Sequence, residues 1–171
     1  MSRVTVVGSF NVDHVWQCDV LPVPGATLLG RYLTGPGGKG LNQAVASARA
    51  GATTHFLCAL GDDAGGALAR SLAVATGIDL RAQASAAPTG TAGIYVDGRG
   101  RNCIVIGAGA NAELSPEFVE QQRAAIVGAS VLLAQLESPL DSVLAALRLA
   151  REGAACTTLL NPAPANVVAT K

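Results

Sequence analysis

The densest run of residues able to do chemistry is Gly35-Pro36-Gly37-Gly38-Lys39-Gly40-Leu41-Asn42-Gln43. Its glycines let backbone come close to a ligand, and a helix starting here would present unsatisfied N–H groups. The run lacks the Gly-x-x-x-x-Gly-Lys-Ser/Thr spacing of a phosphate loop. Gly8-Ser9-Phe10-Asn11 likewise lacks the Gly-x-Gly-x-x-Gly of a dinucleotide site. From glycine content alone, a tight turn before a helix explains the run equally well. Asp62 and Asp63 could pair on a metal, but adjacent acids ahead of a helix are usually its cap. His14 and His55 are far apart, with no acid or cysteine at ligand spacing, and neither is given a catalytic task. Cys18, Cys58, Cys103 and Cys156 form no chelating pair and read as buried or half-buried thiols in a reducing compartment.

The elements that must position these residues alternate between strand and helix. Val4-Thr5-Val6-Val7-Gly8 is β-branched and ends in glycine, the pattern of a strand buried on both faces. Leu41 to Ala50 is Ala-rich with helical spacing and stops at Gly51, after which Thr54 to Leu60 reads as strand. Asp62-Asp63 caps a second helix to about Ala75, ended by Gly77. Ser115-Pro116-Glu117 supplies a cap, an N1 proline and a first-turn acid for a third helix. Ser138-Pro139-Leu140-Asp141 does the same for a fourth, with Asp141 in capping-box position. Val131 to Leu136 and Cys156 to Leu160 read as further strands. The alternation argues for an α/β fold with a parallel sheet and helices on both faces.

Two segments break that rhythm. Val12 to Cys18 and Leu28 to Leu33 flank the turn-rich Leu21-Pro22-Val23-Pro24-Gly25 with no helix between them, so they should pair antiparallel outside the main sheet. Thr91 to Val96 and Asn102 to Ile106 flank the hairpin turn Asp97-Gly98-Arg99-Gly100. Together they make one small β lid, 12–33 and 91–106, beside a core of 1–11, 34–90 and 107–171. Neither face of Val12 to Cys18 is plainly solvent or plainly core, as expected of a lid covering a site on one side and meeting a subunit on the other. Trp16, the single tryptophan, belongs either to an interface or to packing within the lid.

The bulk properties narrow the partners. At 171 residues the chain can bury a sizeable core without metal or disulfide staples. Lys+Arg and Asp+Glu balance at 12 each with no basic run, which leaves no electrostatic footprint for nucleic acid or an anionic membrane. Only 14% of residues are charged, and the mean hydropathy is +0.38. Such apolarity points to a surface that meets a second subunit or further chain. No signal-peptide pattern opens the sequence and no apolar run is long enough for a bilayer, so a cytoplasmic location is expected.

Taken together, the motifs resemble the ribokinase family of carbohydrate kinases. Gly8-Ser9-Phe10-Asn11-Val12-Asp13 is similar to that family's opening strand with its Asn-x-Asp sugar-binding pair. Gly37-Gly38-Lys39-Gly40-Leu41-Asn42-Gln43-Ala44 is similar to its first signature. Gly61-Asp62-Asp63, Ala108-Gly109-Ala110-Asn111, Gln135-Leu136-Glu137-Ser138-Pro139 and Asn161-Pro162-Ala163-Pro164-Ala165 follow in the family's order. The resemblance implies a three-layer α/β/α sandwich with a mostly parallel sheet, incomplete here, plus a small β-sheet lid. It implies that Asn11 and Asp13 bind sugar hydroxyls, a carboxylate accepting from two at once and an amide both donating and accepting. Gly37, Gly38, Lys39 and Asn42 would line the other side of the sugar. Glu137 would contact a sugar hydroxyl or a magnesium-bound water, or else serve as a helix-capping acid. Ala92, Ile94 and Ile106 would cover the ring, or simply pack the lid.

The resemblance also implies an activity: transfer of the γ-phosphate of ATP to the primary hydroxyl of ribose, with Mg2+, a monovalent cation such as K+, and a homodimer formed through the lids. Deoxyribose or another pentose is the nearest competing substrate. In that family a Gly-Ala-Gly-Asp motif supplies the general base and an anion hole, and an Asn-x-x-Glu motif serves magnesium. Neither occurs in this sequence. Loss of general-base help alone costs about 10² to 10⁴ in rate, and loss of phosphate clamps adds to it. The expectation is therefore an N-terminal portion of such a kinase, inactive alone, with no catalytic residue, no metal or nucleotide of its own, and a missing C-terminal half as its partner. The rival expectation is a non-catalytic sugar-binding or regulatory half-protein.

Overall fold

The computed structural model describes residues 2–153 and 155–165. Residues 1, 154 and 166–171 of the expected core ranges lie outside them. The first strand, β1 (Arg3–Val7), sits in the middle of a five-stranded sheet whose neighbouring pairs are all parallel. Its partners are β4 (Thr53–Gly61) and β8 (Val131–Gln135), with β5 (Asp79–Ser85) and β9 (Thr157–Asn161) at the two edges. Alternation along the central strands feeds two cores. Val6, Phe56 and Cys58 pack on one face with Leu41 and Ala44 of α1 (Lys39–Arg49) and Ala69 and Ala73 of α2 (Ala64–Thr76). Val7, Leu57 and Leu132 pack on the other with Val119 of α3 (Pro116–Gln121), Ile126 of α4 (Arg123–Val127) and Leu149 of α5 (Leu140–Glu152). Two faces, each covered by helices, make the three-layer sandwich.

A second, separate sheet of four strands runs in the order β3 (Arg31–Gly37), β2 (Asn11–Gln17), β6 (Gly90–Val96), β7 (Asn102–Gly107). The β2/β3 and β6/β7 pairs are antiparallel and the central β2/β6 pair is parallel. Trp16, Tyr32 and Tyr95 gather on one face, with ring centroids of Trp16 5.3 Å from each tyrosine. Trp16 therefore packs against both tyrosines within this sheet.

Two of the three side-chain caps expected from sequence form. Asp63 Oδ1 accepts from Gly66 N–H at 2.9 Å, and Gly77 closes α2 at φ +69°. Ser115 Oγ accepts from Phe118 N–H at 3.1 Å, with Pro116 at the first helical position. Ser138 does not cap α5. Pro139 occupies the N-cap position without a side-chain bond, and Ser138 Oγ is buried with no hydrogen-bond partner among the described residues.

The structure differs from expectation at four further places. The strand expected at 28–33 lies at 31–37, because full pairing with β2 puts Asn11 opposite Gly37 and Gln17 opposite Arg31. Pro36 is tolerated there since β3 is an edge strand. β5 has no strand signature in the sequence: Asp79-Leu80-Arg81-Ala82-Gln83-Ala84-Ser85 has no β-branched residue, and its pairing with β4 imposes the conformation. The short α4 is likewise absent from the sequence reading. Finally, Cys103 is exposed rather than buried, because every residue of the edge strand β7 is.

Candidate functional site

Between the carboxyl ends of the parallel strands and one face of the small sheet lies a cavity of about 220 Å³. The period-two geometry of β2 turns Asn11 and Asp13 to the same face. Asp13 stands across from Gly35 and Ala92, and Ala92 from Ile106. Every sequence-predicted site residue except Gly37 lines the cavity: Asn11, Asp13, Gly38, Lys39, Asn42, Ala92, Ile94, Ile106 and Glu137. Gly37 acts one layer behind. A Cβ on it would collide with the Asp13 carboxylate, so glycine is what lets Asp13 occupy its place. Ile104 also lines the cavity, although the sequence motifs do not include it. It lies two residues from Ile106 on β7, so strand alternation alone could have found it.

The polar half of the cavity is built at the start of α1. Gly38 has φ +95°, and a Cβ there would sit 2.9 Å from Ser9 O. Only glycine fits both constraints. The turn brings Lys39 to Glu137, which follows β8 at its carboxyl end. Glu137 Oε2 accepts from Ser9 Oγ at 2.6 Å and from Lys39 N–H at 2.9 Å, while Oε1 meets Lys39 Nζ at 3.0 Å. The Glu137 side chain is 6% exposed. Burial alone would raise its pKa, but the hydrogen bonds from Ser9 and Lys39 and the lysine charge outweigh burial and hold it below the usual glutamate range. Ser9 belongs to the opening motif, but sequence gives it no role of its own. Its hydroxyl also accepts from Gly40 N–H at 3.3 Å, tying the acid to the helix start.

Asp13 is the electrostatic opposite. Its carboxylate makes no hydrogen bond or ion pair among the described residues. Burial, then the Glu137 charge, push its pKa up against the pull of His14 and Lys39. The cavity therefore holds one carboxylate whose bonds are satisfied and one that awaits donors. Opposite them Ala92, Ile94, Ile104 and Ile106 form an apolar strip. A second hollow of about 480 Å³ adjoins, sharing Ile104, Ile106 and Glu137 and bordered by Leu136, Ser138 and Pro139.

This arrangement suits a small neutral polyol: free acceptors and donors at one edge, C–H contacts on the other. Among the described residues no three His, Cys, Asp or Glu side chains gather to hold a metal ion. With the oxygens of Glu137 already engaged, these residues do not make a magnesium cage. No helix among the described residues is long and apolar enough to cross a membrane.

Comparison with known proteins bears on the fold and the family. The chain is 40% identical over 168 residues to a ribokinase of Haemophilus influenzae, an alignment covering 96% of this chain and 55% of the relative. Its fold matches a ribokinase structure from Giardia lamblia at TM-score 0.89 and 33% identity, over 95% of this chain and 51% of that one. It matches an Arabidopsis thaliana ribokinase complexed with ribose and ATP at TM-score 0.76 and 29% identity, over 95% and 54%. The chain thus spans about half the length of the relatives it matches. The pattern of the pfkB family carbohydrate kinases fits residues 1–171 from end to end. With that match over the whole sequence and the ribokinase fold beneath it, the chain belongs to the pfkB family of carbohydrate kinases.

Proposed function

We propose that this chain carries the pentose-gripping side of an ATP-dependent ribose kinase. The observation that carries the reading is the convergence of Asn11 and Asp13, two polar side chains of one strand, on a small cavity walled by the Lys39–Glu137 pair and an isoleucine-rich strip. A pentose matches that pattern, with hydroxyls on its edges and C–H groups on its faces. A volume of about 220 Å³ suits one such ring.

In the intact enzyme the primary hydroxyl of ribose takes the γ-phosphate of ATP. Magnesium and a monovalent cation such as potassium belong to the nucleotide side, which these residues do not supply. The small sheet serves as a lid over the sugar, and its aromatic face is the contact for a second copy. General base and phosphate clamps have no counterpart in the motifs of this sequence, so the 171-residue chain turns over negligibly by itself. The enzyme works in the cytoplasm.

Two measurements on the chain test this. Titration calorimetry should register ribose binding, and a coupled assay should find no ATP-dependent ribose phosphorylation. Absence of pentose binding would remove the sugar assignment. Turnover at about a thousandth of the rate of an intact relative is what loss of general-base help alone would leave, about 10² to 10⁴ below the full rate, so with the phosphate clamps also missing it would remove the claim that this half lacks both sets of catalytic groups.

A further inference from the structure

Asn111 lies outside the cavity, in the 3₁₀ turn Gly109–Glu113, and is 2% exposed. Its amide bonds both backbone groups of Phe10: Oδ1 accepts from Phe10 N–H at 3.0 Å and Nδ2 donates to Phe10 O at 2.9 Å. A backbone N–H can only donate and a backbone carbonyl can only accept, so these bonds fix which end of the Asn111 amide is which. The second Nδ2 proton then meets the side chain of Asn11, at 2.8 Å from Oδ1. Being a donor, it fixes Asn11 in turn. The Asn11 carbonyl must face Asn111, and the Asn11 NH2 must face the other way.

Asn11 is only 2% exposed, yet its Nδ2 has no bond among the described residues and is not among the buried polar atoms left without a partner. The accessible side of Asn11 is the cavity it lines. Resting on the pentose reading above, we infer that Asn111 is a positioning residue that locks Asn11 as a hydrogen-bond donor beside the acceptor Asp13. The site therefore reads a pair of neighbouring sugar hydroxyls, one accepting from Asn11 and one donating to Asp13. Residues i and i+2 of a strand are roughly 7 Å apart, a span that two adjacent hydroxyls and their hydrogen bonds bridge.

The lock is tested without sugar by side-chain amide exchange in nuclear magnetic resonance of the full chain. Slow exchange of the Asn111 NH2 with fast exchange of the Asn11 NH2 is expected. Protection of the Asn11 NH2, or fast exchange at Asn111, would overturn the lock. The reading of paired hydroxyls is tested by calorimetry with ribose, 2-deoxyribose and 3-deoxyribose. At least one deoxy sugar should bind the wild type about 5- to 100-fold more weakly than ribose, the range for a lost hydrogen bond that leaves a buried group unpaired. In Asn111→Ser the ratio should fall toward unity for one of the two deoxy sugars, the one lacking the hydroxyl that Asn11 serves, while a ratio that reports the Asp13 hydroxyl persists. Mere loosening of the fold would weaken all three sugars alike and keep both ratios, and that result would overturn the inference. If Asn111→Ser does not fold, Asn11→Ser removes the amide while leaving the Phe10 bonds in place, and the same collapse of the ratio is required. If the wild type binds no pentose, the sugar reading and the hydroxyl pairing both fall, and amide exchange alone decides the lock.

Discussion

Replacing Glu137 by glutamine keeps the shape of the side chain and removes its charge, so its effect can be worked from three contacts. The carboxylate accepts from Ser9 Oγ, from Lys39 N–H and from Lys39 Nζ, and is 6% exposed. A hydrogen bond to a charged group is worth about 1.5–3 kcal/mol, and breaking a buried pair costs about 3–5 kcal/mol. The amide in Glu137→Gln can still accept with one oxygen, but it would aim an NH2 donor at a lysine or a hydroxyl. Lys39 is 36% exposed and recovers hydration once unpaired. The net loss should therefore lie near the low end, about 2–3 kcal/mol. For a chain of this size that lowers the melting midpoint by roughly 4–12 °C. The pH dependence supplies the sharper check. A carboxylate whose folded pKa lies below its ordinary value near 4.5 adds stability that is fully present above that value. The contribution disappears as pH falls through the folded pKa. The wild type should accordingly outlast Glu137→Gln at pH 7, and the gap should close as the pH is lowered below 4.5. Urea unfolding of both proteins across this range measures it. A gap under about 0.5 kcal/mol at neutral pH, the noise of surface substitutions, or a gap that ignores pH, would refute the reasoning.

Asp13→Asn should act with the opposite sign on the free protein. Burial and Glu137 raise the Asp13 pKa, so its ionisation costs stability as pH rises above the ordinary aspartate value near 3.8. The amide should melt higher than wild type at pH 7 while binding ribose more weakly, as read by parallel melts and calorimetry. Gly37→Ala should disturb the same carboxylate by steric means, displacing Asp13 and weakening ribose at least about tenfold, the loss of one hydrogen bond to a charged group, with the helices intact by circular dichroism. Asp63→Ala removes bonds to Gly66 N–H at 2.9 Å, Thr89 N–H at 2.7 Å and Thr89 Oγ1 at 2.6 Å, and should cost about 1–2 kcal/mol in urea unfolding.

What the sequence made legible were features whose cause is local. Val4 to Val7 is β-branched and apolar wherever it sits, and Asp63 and Gly77 carry their capping chemistry with them. The residues that line the cavity can be named from sequence because the glycine turn and the Asn-x-Asp pair occur in recognisable order. What stayed hidden were features whose cause is distant. β5 is polar and poor in β-formers, and becomes a strand through its register with β4 and the Asp79 carboxylate held between His55, at 2.7 Å, and Arg81, at 2.9 Å. Ser138 precedes a proline as a capping serine does, yet the turn after β8 buries its hydroxyl without a hydrogen-bond partner among the described residues. Asn111 gave no sign of its role, since its partners Phe10 and Asn11 stand about 100 residues earlier in the chain.

The concentration of polar groups at residues 8–11 follows from the change of sheet there. β1 ends at Val7 and β2 begins at Asn11, so the backbone between them is buried without a continuous ladder to satisfy it. Leu57 O accepts from Gly8 N–H at 3.0 Å, Ser9 O accepts from Leu41 N–H at 3.0 Å, and Asn111 takes both groups of Phe10. Satisfying that crossing draws α1 and the 109–113 turn to one point, directly behind Asn11, Gly38 and Glu137, which line the cavity. Stability and binding must therefore move together at Ser9, whose hydroxyl serves Glu137 and Gly40 at once. They should separate at Asn42, which lines the cavity from the exposed side of α1 and makes no side-chain bond among the described residues. Asn42→Ala should stay within about 2 °C of the wild-type melting midpoint, as surface changes do, and still weaken ribose. Ser9→Ala should lower both. Equal behaviour of the two variants in paired melting and calorimetry would show that the crossing and the cavity are not built from the same bonds.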